Sequence, residues 1–137
     1  MTVELQKVPA SQIERESFRI IYVEFGQSQF DEDTYTIVRS VIHATGDISF
    51  KEKIRFSECS LQAGIKAIQD GKNILTDVKM VAAVISKLLL GKWGGQVICN
   101  VADPEIAAVA KKEGRTRSEV AIDMSLDENI GIVAMGN

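Results

Sequence analysis

The chain has a single histidine, His43, in the stretch VIHATGD, Val41–Asp47. Imidazole is the one side chain whose ordinary pKa lets it give and take a proton near neutrality. The stretch therefore suits general acid–base chemistry, or else a histidine buried and hydrogen-bonded at the end of its own helix. Arg39 stands four residues earlier, on the same face of a helix. It pairs there either with an anionic ligand or with Asp33 or Asp47. Arg117, in GRTRSEVA, is the strongest candidate for a carboxylate clamp. A guanidinium binds a carboxylate through two parallel hydrogen bonds, and the backbone N–H groups of a helix start attract anions as well. The alternative is a solvated arginine in a basic turn with Arg115. Lys79 either meets an anionic ligand or pairs with nearby Asp77. Thr45 and Asp47 are helix-end polar groups or ligand contacts, Thr45 being the better contact.

Other chemistries find little support. Cys59 and Cys99 are far apart and form no C-x-x-C pair, which predicts two reduced, buried thiols. With one histidine and two isolated cysteines, a protein-built zinc or iron site is not expected. The dinucleotide fingerprint, the P-loop and the G-x-S-x-G elbow are all missing from the sequence. A serine–histidine–carboxylate triad would need a serine on a strand-to-helix elbow, and none is placed so.

The elements that must position these residues alternate in type. The length of 137 residues suits one domain, and 45% apolar residues suffice for a core. A net charge of −3 and a pI near 5.2 argue against non-specific nucleic-acid binding. No apolar run reaches the length of a membrane span, and the N-terminus has no signal-peptide core, so a cytoplasmic setting is expected. Ser11 and Glu14 fit a capping box that opens a helix running to Gly26. A second helix spans about Asp31 to Ala44, with acidic residues at its start and Gly46 just past its end. That places His43 in the last turn, where the helix end favours the protonated ring. KEKIRFS reads as a short strand, Cys59–Gln69 as a helix, and NILTDV as a buried parallel strand. KMVAAVISKLLL reads as one helix and QVICNVAD as a strand. Asp103-Pro104-Glu105 opens a helix that stops at Gly114, and a further helix is capped at Thr116 or Ser118. NIGIVAMGN is a terminal strand. The expectation is a single α/β domain over residues 1–137, with a mostly parallel sheet and helices on both faces in a Rossmann-like three-layer arrangement. Ligands bind such sheets beyond the strands' carboxyl ends, which lie at Thr76-Asp77, Asp103 and Gly136-Asn137.

Five segments, in order and at compatible spacing, carry a family likeness. They are Ser17-Phe18 with the isoleucine-rich run after it, VIHATGD, ILTDVKMVAA (Ile74–Ala83), GRTRSEVA (Gly114–Ala121) and IVAMGN (Ile132–Asn137). Together they resemble the precorrin-8X methylmutase (precorrin isomerase) family of cobalamin biosynthesis, and the likeness spans nearly the whole chain. The resemblance implies an isomerase that moves a methyl group from ring carbon 11 to carbon 12 of a corrin precursor. This sigmatropic shift needs no redox or nucleotide cofactor, and no metal site is implied. The substrate is a tetrapyrrole polycarboxylate, and the implied site lies at the interface of a homodimer or larger homo-oligomer. His43 takes the catalytic position. Ser17, Arg39, Thr45, Lys79, Arg117 and Ser118 are the implied substrate contacts.

The chain also departs from the family pattern. Relatives carry arginine immediately before V-I-H, where this chain has Ser40. The family continues past Gly-Asn through several tens of residues that help close the pocket, whereas this chain stops at Asn137. The expectations are a truncated and inactive form, a shortened relative that binds a tetrapyrrole or another anion without turnover, or a pocket completed by a partner chain. Uncovered apolar surface around GIVAM predicts self-association. A generic α/β interaction module is the remaining reading.

Overall fold

The computed structural model of the chain describes residues 7–136. Its contacts divide into two compact units, Met1–Ser57 and Glu58–Asn137.

The first unit is helical. A 3₁₀ turn at Ala10–Gln12 leads into α1, Ile13–Phe25, which ends at Gly26. Ser11 falls inside the turn, and no side chain caps α1, so the expected Ser11–Glu14 box does not form. Helix α2, Glu32–Thr45, starts as expected at Asp31, whose carboxylate accepts from the Thr34 N–H at 3.0 Å and the Thr34 hydroxyl at 2.7 Å. Ile21 and Phe25 of α1 and Val38 and Ile42 of α2, each pair one helical turn apart, form the buried core. Phe18, Phe30, Tyr35, Ile48, Phe50 and Ile54 pack around it. Burying an aliphatic or aromatic side chain of this size stabilises by roughly 1.5–3 kcal/mol. KEKIRFS is not a strand. Phe50–Lys53 forms the single turn α3, which brings Phe50 and Ile54, four residues apart, onto the same core. Among the described residues the segment pairs with no strand, so burial of those two residues decides its conformation.

The second unit carries the sheet. Helix α4, Ser60–Gln69, precedes β1, Asn73–Thr76; β2, Val97–Ile98, and β3, Ile130–Ala134, flank β1 in the order β2-β1-β3, both pairings parallel. This is the expected α/β class. Central strand β1 buries Ile74, Leu75 and Thr76, as a continuous apolar run in a parallel sheet should. The β1–β3 register slips by one residue, from Asn73 opposite Ile130 to Ile74 opposite Ile132. The extra residue is Gly131, where a Cβ would lie 2.5 Å from Lys72 Cβ and 2.7 Å from Ala67 Cβ.

KMVAAVISKLLL is two helices, α5, Lys79–Val84, and α6, Lys87–Gly91. Ile85 turns extended, and the Ser86 hydroxyl recaps the chain by accepting from the Leu89 N–H at 3.3 Å. Strand β2 is shorter than QVICNVAD suggests. The Asn100 amide donates to Ser125 Oγ and Glu128 Oε1, each at 2.9 Å, which draws the chain away from β1. Helix α7, Pro104–Glu113, is capped by Asp103 and closed by Gly114. Helix α8, Arg117–Ser125, opens with a reciprocal Thr116–Glu119 capping box. Ile106, Ala110, Val120 and Ala121 form the α7–α8 core. The cysteines are free but not both buried: Cys99 is half-buried, while Cys59 is exposed at the residue before α4, with φ 59°.

Candidate functional site

His43 lies in the last turn of α2 and is exposed. Gly46 stops the helix beyond it at φ 68°, a left-handed conformation that glycine adopts without strain, and its N–H donates to Ile42 O at 2.7 Å. Ser17 comes from α1. Its Oγ is 2.7 Å from His43 Nδ1. A hydroxyl suits either state of the ring, donating to neutral Nδ1 or accepting from a protonated one. In both cases Nδ1 is occupied and Nε2 is the nitrogen free for a ligand. Phe18 meets the imidazole edge-on, centroids 5.3 Å apart at 72°. The Arg39 guanidinium carbon sits 4.1 Å from the Phe18 ring centroid, so the phenyl ring touches both cation and imidazole. Arg39 pairs with neither Asp33 nor Asp47, and its Nε is buried without a hydrogen-bond partner among the described residues. Asp47 instead pairs with Lys53 at 3.5 Å. The Thr45 hydroxyl is used locally: it donates to Val41 O at 2.8 Å and accepts from the Asp47 N–H at 3.3 Å.

Ser17 and His43 lie on the wall of a pocket of about 330 Å³ whose other lining is mostly apolar, including Ile13, Ile20, Ile42 and Ile48. That volume is at the low end for small-molecule sites, roughly 300–1,000 Å³. Ile13, Glu16, Ser17, Ile20, Ile21 and Glu24 of α1 line the pocket at three- and four-residue spacing. Sequence reading missed this stripe, although its helical period was there to find. It missed Phe18 as the link between His43 and Arg39 as well. Glu16 is bound by Arg19 through a hydrogen bond of 2.6 Å, and this bond, with the charge attraction of Arg19, holds its carboxyl below the ordinary range against the opposing pull of desolvation.

Lys79, Arg117 and Ser118 belong to the second unit. The Ser118 hydroxyl donates to Asp77 O at 3.4 Å, and the Gly136 N–H donates to Asp77 Oδ1 at 3.0 Å. Asp77 is wholly buried past the end of β1, so this strand end is occupied by internal hydrogen bonds. A Cβ at Gly136 would lie 2.4 Å from Val81 Cγ2, which explains a glycine there. Lys79 is exposed. Arg117, the first residue of α8, is exposed and unpaired among the described residues, whereas Arg115 pairs with Glu113 and Asp123. Asp103 is used as the α7 cap, accepting from the Glu105 N–H at 2.8 Å. Asn137 lies outside the described residues. No helix among the described residues is long and apolar enough to cross a membrane.

The sheet order defines an α/β protein, and its serine-held histidine lies at the end of a helix. The chain belongs to the precorrin-8X methylmutase family, whose sequence profile matches residues 12–137. It is 35% identical over 131 residues to the cobalt-precorrin-8 methylmutase of Priestia megaterium, covering 95% of this chain and 58% of that one. To the precorrin-8X methylmutase of a Sinorhizobium species it is 33% identical over 122 residues, covering 88% and 58%. The crystal structure of precorrin-8x methyl mutase from Thermus thermophilus superposes with a TM-score of 0.79 at 38% identity, covering 93% of this chain and 63% of the other. The chain thus spans less than two thirds of the length of these relatives.

Proposed function

We propose that the chain acts as an isomerase on precorrin-8X or its cobalt form, shifting a methyl group from ring carbon 11 to carbon 12 to give hydrogenobyrinic or cobyrinic acid. His43 serves as the proton donor and acceptor. The single observation that carries this reading is the Ser17–His43 pair, 2.7 Å apart on the wall of an apolar-lined pocket. A rearrangement of this type needs one proton placed on, or shared with, the macrocycle. His43 supplies it from Nε2 while Ser17 holds Nδ1. The apolar wall takes the edge of the ring, and water is kept from that edge. General acid–base catalysis of this kind is worth roughly 10²–10⁴-fold, and the remainder of the acceleration comes from holding the macrocycle in a reactive geometry. Arg39, Thr45, Lys79, Arg117 and Ser118 are the further substrate contacts, with Arg117 as the carboxylate clamp. The protein works in the cytoplasm as a homodimer or larger homo-oligomer.

The test is an absorbance titration with hydrogenobyrinic acid, run on the parent and on a folded His43→Ala variant. Saturable binding by the parent, weakened by the substitution, is the expected result. With substrate in place of product, the variant should lose roughly 10²–10⁴-fold in rate. An unchanged rate in the variant would remove His43 from the chemistry. Binding without turnover in the parent would leave a tetrapyrrole-binding relative and remove the isomerase. No binding by either protein would remove the tetrapyrrole altogether.

A further inference from the structure

A second depression of about 570 Å³ adjoins the His43 pocket, and the two share Val8 and Glu16 as walls. Its character is different. Lys7, Arg15 and Arg19 line it, with Gln12 among them and Glu16 as its one carboxylate. Arg19 is committed to Glu16 at 2.6–3.0 Å. Lys7 and Arg15 are exposed and make no ion pair among the described residues. The pocket therefore concentrates positive charge on a chain whose net charge is −3. Lysine and arginine donate hydrogen bonds and accept none, so Lys7 and Arg15 are left without a negatively charged acceptor among the described residues.

The two pockets sort the parts of an amphipathic anion. The His43 pocket has a mostly apolar lining, and its own carboxylate, Glu24, repels anionic arms. The basic pocket lies directly across the Val8–Glu16 rim. We infer that Arg15 and Lys7 form a carboxylate subsite that receives one side arm of the macrocycle while the ring edge rests at Ser17–His43. This inference rests on the tetrapyrrole reading given above and adds to it the residues that orient the ring. Arg15 supplies the two-pronged contact, Lys7 a point charge, and the Gln12 amide a neutral donor. The subsite fixes which edge of a pseudo-symmetric ring is turned toward His43 Nε2. It works by retaining one orientation and leaving the others without a charge partner.

The experiment is an absorbance titration of the parent, Arg15→Gln, and Lys111→Gln as a control on α7, with hydrogenobyrinic acid at low and high salt. The same titration is then run with the macrocycle's fully esterified form. Loss of a charge-assisted hydrogen bond predicts roughly tenfold or greater weakening in Arg15→Gln at low salt. The difference should shrink at high salt, because the groups are exposed and screened. Lys111→Gln should match the parent, and the ester should bind the parent and Arg15→Gln equally. Equal affinity of parent and Arg15→Gln for the acid would overturn the subsite while leaving the tetrapyrrole reading intact. Absence of acid binding by the parent would overturn that reading and the subsite with it.

Discussion

His43 finds its hydroxyl partner in a residue 26 positions away in sequence. The Ser17 hydroxyl is a neutral partner that follows the ring through both protonation states, where a carboxylate would hold it as imidazolium. Under the proposed function, Ser17 acts through His43 by fixing which nitrogen faces the ligand. Ser17→Ala should reduce turnover about three- to tenfold, the range for losing one ordinary hydrogen bond. Ser17→Thr, which keeps the hydroxyl, should restore the rate, and a rate unmoved in Ser17→Ala would make the hydroxyl a packing group only. Arg39 was legible as a cation on the His43 face of α2. Its partner was not, because the phenyl ring it covers comes from α1.

The helices announce their own ends. Asp31 and Glu119 each cap a helix with a carboxylate that accepts from backbone and hydroxyl: Thr34 N–H and Oγ1 for the first, Thr116 N–H and Oγ1 for the second. The backbone hydrogen bond, followed by the hydroxyl, holds each carboxyl below its ordinary value. A carboxyl lowered on folding contributes stability above its unfolded pKa, about 4, and loses it as pH falls through the folded value. Acid unfolding should therefore steepen below about pH 4, with little change above about pH 5. Asp31→Asn and Glu119→Gln keep capping-competent side chains and remove the titration. Each should flatten the pH dependence of the thermal midpoint below pH 4, followed by circular dichroism. An acid limb identical to the parent's would exclude these carboxyls as its cause. Caps and periodicity revealed α2, α7 and α8, since those signals are local. KEKIRFS and the break at Ile85-Ser86 were misread, because neighbours and side-chain caps, not propensity, decided them.

At the scale of the whole chain, the contacts split between Ser57 and Glu58. No proline- or glycine-rich linker marks that point in the sequence. Large apolar side chains are left at the surface of the second unit: Met80, Val84 and Leu88 are each about four-fifths exposed, and Met135 of the GIVAM region is 68% exposed. Self-association should follow. Sedimentation velocity over a concentration series should show a species heavier than 15.0 kDa, reduced by Leu88→Glu. A single 15.0 kDa species at every concentration would remove the oligomer from the proposed function.

The sequence by itself determined the α/β class, most helix boundaries, the lone histidine and the family. Each is carried by local pattern, by residue type, or by short motifs in order. The tertiary structure decided what that pattern cannot contain. It set Ser17 against Nδ1, laid Phe18 between His43 and Arg39, and opened two adjoining pockets of opposite character along α1. It also occupied the β1 end with Ser118, Asp77 and Gly136. Such contacts join residues far apart in sequence, and their distances follow from how helices and strands pack, which no spacing along the chain records.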